Sequence, residues 1–248
     1  MKAFPSTPLH VLTFEIGTVP DSEPLWDALV YFFSRYPSLT SQGITGYSNF
    51  AVNTSVNGTY FGGMNGVLVL PALSSTNTSD SLIAAFNQIL EHIVTMWPNT
   101  FVNDTASATV PSFYDFWILS SGPTWAGISF ELGSRLLDER ALTVDLPALK
   151  AALEVFTHEA GAQSIIVGGG KVNDIVPRGG SDAVNSAWRK TIVHLSISSV
   201  TEEGTFGTDA TPQLVQYPDR ISTQLSKLSK KISGLGCVPG GQVRWGIW

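Results

Sequence analysis

The sequence predicts an α+β fold, a single antiparallel sheet with its helices on one face. Three observations carry this. Several segments alternate apolar and polar residues with period two, the clearest running from Lys190, where Thr191, Val193, Leu195 and Ile197 oppose Ile192, His194, Ser196 and Ser198. A hairpin signal, Val56-Asn57-Gly58, joins two such segments. Helical-period stripes lie between the strands without an obvious linker or internal repeat, so residues 1–248 read as one module.

The elements follow in order. Leu9 to Ile16 is an apolar run and reads as a strand. Asp21 or Ser22 caps a helix over Glu23 to Tyr36, with Leu25, Leu29, Phe32 and Phe33 at helical spacing; Pro37 to Gly43 ends it. Ile44 to Asn53 alternates, setting Ile44, Ser48, Phe50 and Val52 against Thr45, Tyr47, Asn49 and Ala51. Thr59 to Leu70 returns antiparallel, and Gly62, Gly63 and Gly66 mark a bulge or a close approach by a ligand. Ser79 to Met96 is a second helix capped by Ser79 or Asp80 and stopped by Pro98.

Phe101 to Val110 is Thr-rich and strand-like, and the aromatic stretch Ser112 to Leu119 reads either as a loop packed on the core or as a pocket wall. Trp125 to Leu132 alternates as a strand, and Gly133 to Leu137 reads as a connection. Asp145 to Glu159 is a third helix ending at Gly161, Gln163 to Val167 a strand, and Gly168-Gly169-Gly170 a turn without the spacing of a phosphate loop. Tyr217 to Ile232 is a fourth helix with a basic, solvated face.

Composition narrows the function. Of 248 residues, 43% are hydrophobic and 14% charged, enough for a sizeable core under a lightly charged surface. A net charge of −6 offers no basic footprint for nucleic acid. No apolar run approaches the roughly 18 residues of a membrane span, and the N-terminus has no signal-peptide core, so a cytoplasmic location is expected. Four N-x-Ser/Thr acceptors, at Asn53, Asn57, Asn77 and Asn103, are chance or a relic of a secreted ancestor. One cysteine, Cys237, excludes an internal disulfide, and His10, His92, His158 and His194 lack metal-ligand spacing.

If the apolar side of each strand meets the helices, the other side of the sheet carries Tyr47, Asn49, Ser129, Glu131, His194 and Ser196. A face so furnished calls for a cover: a domain, a subunit or a ligand. His194 is the candidate for hydrogen bonding or proton transfer near neutral pH. Glu131 is a general base if burial raises its pKa, or else pairs with Arg135 or Arg178. Ser196 and Asn49 are placed to orient a carbonyl, and Trp125, Trp188 and Tyr47 to wall a pocket.

Gly133-Ser134-Arg135-Leu136-Leu137, the glycine turn, and Ala183-Val184-Asn185-Ser186-Ala187-Trp188-Arg189 ahead of the His194 strand resemble the fungal branch of berberine-bridge-enzyme-like, FAD-linked oxidoreductases, whose pattern is close to AVNPAWR with Ser186 here in place of the proline. Lys2-Ala3-Phe4-Pro5 is similar to the strand that leaves the flavin domain there. The resemblance covers nearly the whole chain. It implies the family's substrate domain, an antiparallel sheet whose open face roofs the flavin.

Departures accompany it. The family's flavin-binding domain, with its covalently linked histidine, has no counterpart here, and after Pro239-Gly240-Gly241 the returning tyrosine, asparagine and acidic residues are missing. The expectation is therefore a cofactor-independent cyclase or isomerase, of the Diels-Alderase kind, acting on a hydrophobic secondary-metabolite intermediate with no FAD and no metal. Such a reaction needs a shaped pocket and a few hydrogen-bond donors. His194, Ser196 and Glu131 are its catalytic candidates; Tyr47, Asn49, Trp125, Ser129 and Trp188 its substrate contacts. The alternatives are a non-catalytic binding subunit, paired with itself or with a flavoprotein, and an inactive truncated oxidase.

Overall fold

The computed structural model describes residues 6–56, 59–120, 130–157, 162–169, 173–174, 185–200 and 238–239. Its strands are β1 (Leu9–Thr18), β2 (Thr45–Val56), β3 (Thr59–Pro71), β4 (Phe101–Val110), β5 (Phe130–Asp138), β6 (Ala162–Ile166), β7 (Thr191–Val200) and the two-residue β8 (Val238–Pro239). They form one sheet in the order β4-β1-β3-β2-β6-β7-β5-β8, and every described pairing is antiparallel. The helices are α1 (Glu23–Ser41), α2 (Ser79–Met96), α3 (Phe113–Ser120), α4 (Glu139–Thr143) and α5 (Leu146–Thr157). The predicted α+β architecture stands.

Even-numbered positions of β1 and β2 and odd-numbered positions of β7 bury Leu12, Phe14, Ile16, Phe50, Val52, Val193, Leu195 and Ile197 in one core with Phe32, Phe33, Phe86 and Phe156 of α1, α2 and α5. Aromatic rings dominate its centre: Phe14 lies 5.3 Å from Phe32 and 5.0 Å from Phe86, and Phe33 5.4 Å from Phe50. Each such ring removes a large apolar area from water. The short helix α3 is the exception to the one-sided layer. Its Phe116 packs with Val11 and Val67 on the opposite face of the sheet, beside buried Leu9, Val69 and Val110.

Several expected boundaries move. Pro37 lies inside α1, which runs on to Ser41, because Leu39 and Thr40 are buried beyond it; the helix ends before Gly43, whose φ is +81°. The cap of α2 is Thr78, one residue ahead of those expected, in a reciprocal capping box with Ser81. Gly133 to Leu137 is strand, not connection: it pairs through β5 with β7, and Leu136 and Leu137 are buried. The aromatic stretch is helical, not a loop, and touches the small cluster on the opposite face only through Phe116; Phe113, Tyr114, Trp117, Ile118 and Leu119 are 50–77% accessible.

The bulge expected at the glycines of β3 lies against β2: β3 pairs with β1 without a break from Pro71 to Gly62, while its register with β2 shifts between Ala51, opposite Gly63, and Thr54, opposite Phe61, which brackets Gly62. A Cβ on Gly66 would stand 2.5 Å from the Tyr47 carbonyl oxygen and 2.9 Å from Phe14 Cζ, so the core fills its place. Val56 pairs with Thr59 across the expected two-residue turn. Asn57, Gly58, Gly161, Gly170 and the expected helix at Tyr217–Ile232 lie outside the described residues, as do Cys237, His158 and the Lys2–Pro5 segment.

Candidate functional site

Register assembles the open face from rows that cross the strands. One row reads Glu15, Asn65, Asn49, Gln163, Ser196, Ser134 on β1, β3, β2, β6, β7 and β5. The next reads Thr13, Val67, Tyr47, Ile165, His194, Leu136 on the same strands. Adjacent strands lie about 4.8 Å apart and successive same-face residues about 7 Å apart along a strand. Tyr47 and His194 therefore stand two strand spacings apart, about 10 Å, with Ile165 between them; Asn49 and Ser196 flank Gln163 in the same way.

The sequence expectation thus brings Tyr47, Asn49, His194 and Ser196 onto one face. Tyr47 is half-buried and Asn49 exposed, whereas Ser196 is only 6% accessible. Trp188 comes from a 3-10 turn over Ser186–Arg189, capped by the Asn185 side chain, which accepts from the Ala187 amide at 2.9 Å. That turn sets the indole edge-on to the His194 imidazole, with centroids 5.5 Å apart. Burial pushes the His194 pKa below its usual value, because the imidazolium would lose water without a charged partner to compensate. At neutral pH the ring is neutral, a donor at one nitrogen and an acceptor at the other.

Glu131 stands apart from them. It pairs with Ser199, in the register set that holds Leu195 and Ile197, and so is no row neighbour of His194 or Ser196. Trp125, Ser129 and Arg178 lie outside the described residues.

Over β1, β3 and β2 the face dips into an open cleft of about 360 Å³, lined by Thr13, Glu15, Tyr47, Asn49, Asn65 and Val67 among others. Sequence reasoning found Tyr47 and Asn49 but missed Glu15, Thr13 and Asn65. The signal was present: Thr13 and Glu15 interrupt the apolar run of β1 at every second residue. A carboxamide ladder crosses the cleft, with Gln163 Nε2 donating to Asn49 Oδ1 at 3.2 Å and Asn49 Nδ2 to Asn65 Oδ1 at 3.5 Å.

Elsewhere, His10 bonds Thr109 and the Asn77 carbonyl, and His92 stacks on Tyr31. Among the described residues no group of three His, Cys, Asp or Glu is placed to hold a metal, and no helix is long and apolar enough to cross a membrane.

Known structures share this architecture. The VAO-type flavoprotein MtVAO713 from Myceliophthora thermophila C1 superposes with a TM-score of 0.69 at 16% identity, over 93% of this chain and 40% of that one. Berberine bridge enzyme from Eschscholzia californica gives 0.55 at 8% identity, over 92% and 41%. The glycopeptide hexose oxidase DBV29, complexed with teicoplanin, gives 0.57 at 15%, over 93% and 43%. The fold is that of a portion of VAO-type flavoproteins. This chain spans about two fifths of the length of these VAO-type neighbours. No protein-family model matches the sequence, and no curated protein matches it.

The VAO-type fold implies a flavin. The carboxamide ladder, with alternating donors and acceptors, suits the heteroatom edge of a flat ring. A dinucleotide's pyrophosphate is another matter. Among the described strand positions of the open face there is no lysine or arginine to meet it. The described residues do not fit the whole cofactor, and no chemical step is derived through it.

Proposed function

We propose that the open sheet face is the wall of a small-molecule site, and that on it this chain promotes cyclisation or isomerisation of a hydrophobic intermediate without a redox cofactor. One observation carries the reading. A neutral, half-buried imidazole, His194, sits against an aromatic ring, Trp188, on the face that also presents Tyr47 and Asn49.

A neutral N–H aimed at a substrate carbonyl withdraws electron density from it without the cost of desolvating an ion. Trp188, Ile165 and Tyr47 offer apolar surface to hold a flexible chain in a reactive conformer. A cyclisation or isomerisation conserves atoms and electrons, so the wall needs no co-reactant. The test is turnover of a linear diene–enal probe by the purified chain. His194→Ala, with its fold verified by circular dichroism, is expected to lower the rate by about 100-fold, the low end of what a positioned acid–base group contributes. Unchanged turnover would remove His194 from the chemistry. Binding of the probe without turnover by the wild-type chain would make the protein a binding subunit.

A second reading has its own support: the VAO-type neighbours are flavoproteins of which this chain matches about two fifths. On that reading the same wall belongs to a flavin-dependent oxidation, with the flavin supplying a redox-active ring. Titration of FAD or a free isoalloxazine into the chain, followed by flavin fluorescence, separates the two. Stoichiometric quenching favours the flavin reading and its absence the cofactor-free one.

A further inference from the structure

The helix α3 turns its broadest apolar side to water. At about 100° per residue, Phe113, Tyr114, Trp117 and Ile118 form a stripe about 140° wide, as broad as the stripe a helix ordinarily lays on a core. The contact that holds α3 in place is on its other side, where Phe116 packs on Val11 and Val67 beside Leu9, Val69 and Val110. The stripe looks away from that anchor, and each of its four side chains is at least half exposed. Leu119, at the end of the helix, is more accessible still.

The stripe carries no charge. Asp115 is the sole ionisable carboxylate of α3 and lies off the stripe; it accepts from Ser112 Oγ, which in turn accepts from the Asp115 amide at 3.1 Å. Among the described residues no hydrogen bond takes up the Tyr114 hydroxyl or the Trp117 indole N–H. With side chains of about 150–250 Å² at half to two-thirds exposure, the stripe offers on the order of 500 Å² per copy. Two such patches face to face bury about 1,000 Å², the size at which a contact becomes a specific interface.

The chemistry of the patch selects its occupant. A helix that lies in a lipid surface carries lysine or arginine on its polar side; α3 has neither, and the chain's net charge of −6 opposes an anionic membrane. A charged protein partner would find no counter-charge on the stripe. A second copy meets no such objection. A two-fold interface sets one patch against itself, so it must be self-complementary. An uncharged stripe does not repel its twin, and the Trp117 N–H of one copy has the Tyr114 oxygen of the other as an acceptor, twice by symmetry.

We propose that the exposed stripe of α3 is a self-association surface, on which two copies of this chain pair about a two-fold axis with Trp117 at the centre. Because α3 stands on the open face, the second copy meets the molecule on the side opposite the layer of α1, α2 and α5.

Sedimentation velocity on the full chain, from about 1 to 200 µM, tests it. The expected result is a monomer–dimer equilibrium within that range. Raising the salt from about 0.05 to about 0.5 M should tighten it, since screening relieves the repulsion between two copies of charge −6. Trp117→Ala should weaken the dimer ten-fold or more (an order-of-magnitude loss for a central aromatic). Ile118→Glu and Ile118→Lys should each weaken it as well, and in an equimolar mixture of the two the mixed dimer should form in preference to either self-pair. These side chains are exposed, and far-ultraviolet circular dichroism verifies each fold. A monomer at every concentration would overturn the proposal, as would a dimer indifferent to Trp117 and Ile118 or one that charge mixing leaves unchanged. Trp117-dependent binding to phosphatidylcholine vesicles by a chain that stays monomeric would assign the stripe to lipid instead. His194→Ala should leave the dimer intact, so this surface and the His194 chemistry stand or fall separately.

Discussion

At the scale of single residues, the most constrained polar group is one that sequence reading passed over. Tyr36 is buried on α1, and its hydroxyl lies 2.9 Å from Ser48 Oγ and 2.8 Å from Ser164 Oγ, which are themselves 2.7 Å apart. Three hydroxyls in a triangle satisfy one another, each donating once and accepting once. Burial pushes the Tyr36 pKa up to about 12, since a phenolate there would lose its water. Two outcomes follow for Tyr36→Phe. The fold loses about 1–3 kcal/mol, read from the urea midpoint at neutral pH, because two of the three bonds vanish. The alkaline behaviour also changes. A pKa raised in the folded state stabilises the fold fully below about pH 10, and that contribution drains away between pH 10 and 12, about 3 kcal/mol in all. The phenylalanine variant should lack this alkaline step, and a wild-type denaturation series from pH 9 to 12 checks it. His194 runs the other way. Its depressed pKa gives a contribution present above about pH 6.5 that is lost as the pH falls through the folded value. Turnover that depends on the neutral ring should decline over the same acidic range in wild-type protein and not in His194→Gln.

Among the elements, legibility followed the strength of the local signal. α2 spans the residues its periodicity predicts, because its apolar stripe and Pro98 mark both ends. Its cap was missed by one position because Thr78, Ser79, Asp80 and Ser81 are all capable caps, and only the backbone decides among them. Thr78→Ala should cost about 1 kcal/mol by thermal or urea unfolding, whereas Ser79→Ala should cost a few tenths. β5 was half hidden. Gly133 and Arg135 break its apolar pattern, yet both are buried and the strand is held by β7 along its length. Tertiary pairing outweighed local composition there, as it did at Pro37. The candidate site was legible only where polar residues alternate with apolar ones in a strong strand, which found Tyr47, Asn49, His194 and Ser196. Glu15 carried the same alternating signal within β1, but that it stands beside Asn65 and Asn49 comes from register, which no single segment encodes. Gly66 is the sharpest case of such a hidden constraint. Its missing side chain is replaced by Phe14 and by the β2 backbone, so Gly66→Ala should cost about 1–3 kcal/mol, the range for overpacking, in the same unfolding assay.

Across the whole molecule, the sheet apart from the two-residue β8 is two contiguous pieces of chain laid side by side. Residues 9–110 supply β4-β1-β3-β2 and residues 130–200 supply β6-β7-β5, and they meet where β2 pairs with the five residues of β6. Such a short seam invites the two halves to unfold separately, but α1 lies across it. On one side α1 packs against α2, β1, β2 and β3; on the other against α4, α5 and β7. Tyr36 bonds a serine from each half, and Lys150 of α5 reaches Glu23 and Asp27 of α1. The ion pairs are partly exposed and contribute about 0–1 kcal/mol each; the shared core of α1 is the stronger link. Phe33 is fully buried against Phe50 and Tyr36 within that core. Truncating it to alanine should cost about 3–5 kcal/mol, and the loss should fall on both halves at once. In urea, tryptophan fluorescence and far-ultraviolet circular dichroism should then shift together to a lower midpoint with the slope retained. Two separated transitions, one near the wild-type midpoint, would show instead that the β6–β7–β5 piece folds on its own. The open face that runs unbroken across both halves, from Glu15 to His194, would then lack the common foundation that keeps its rows in register.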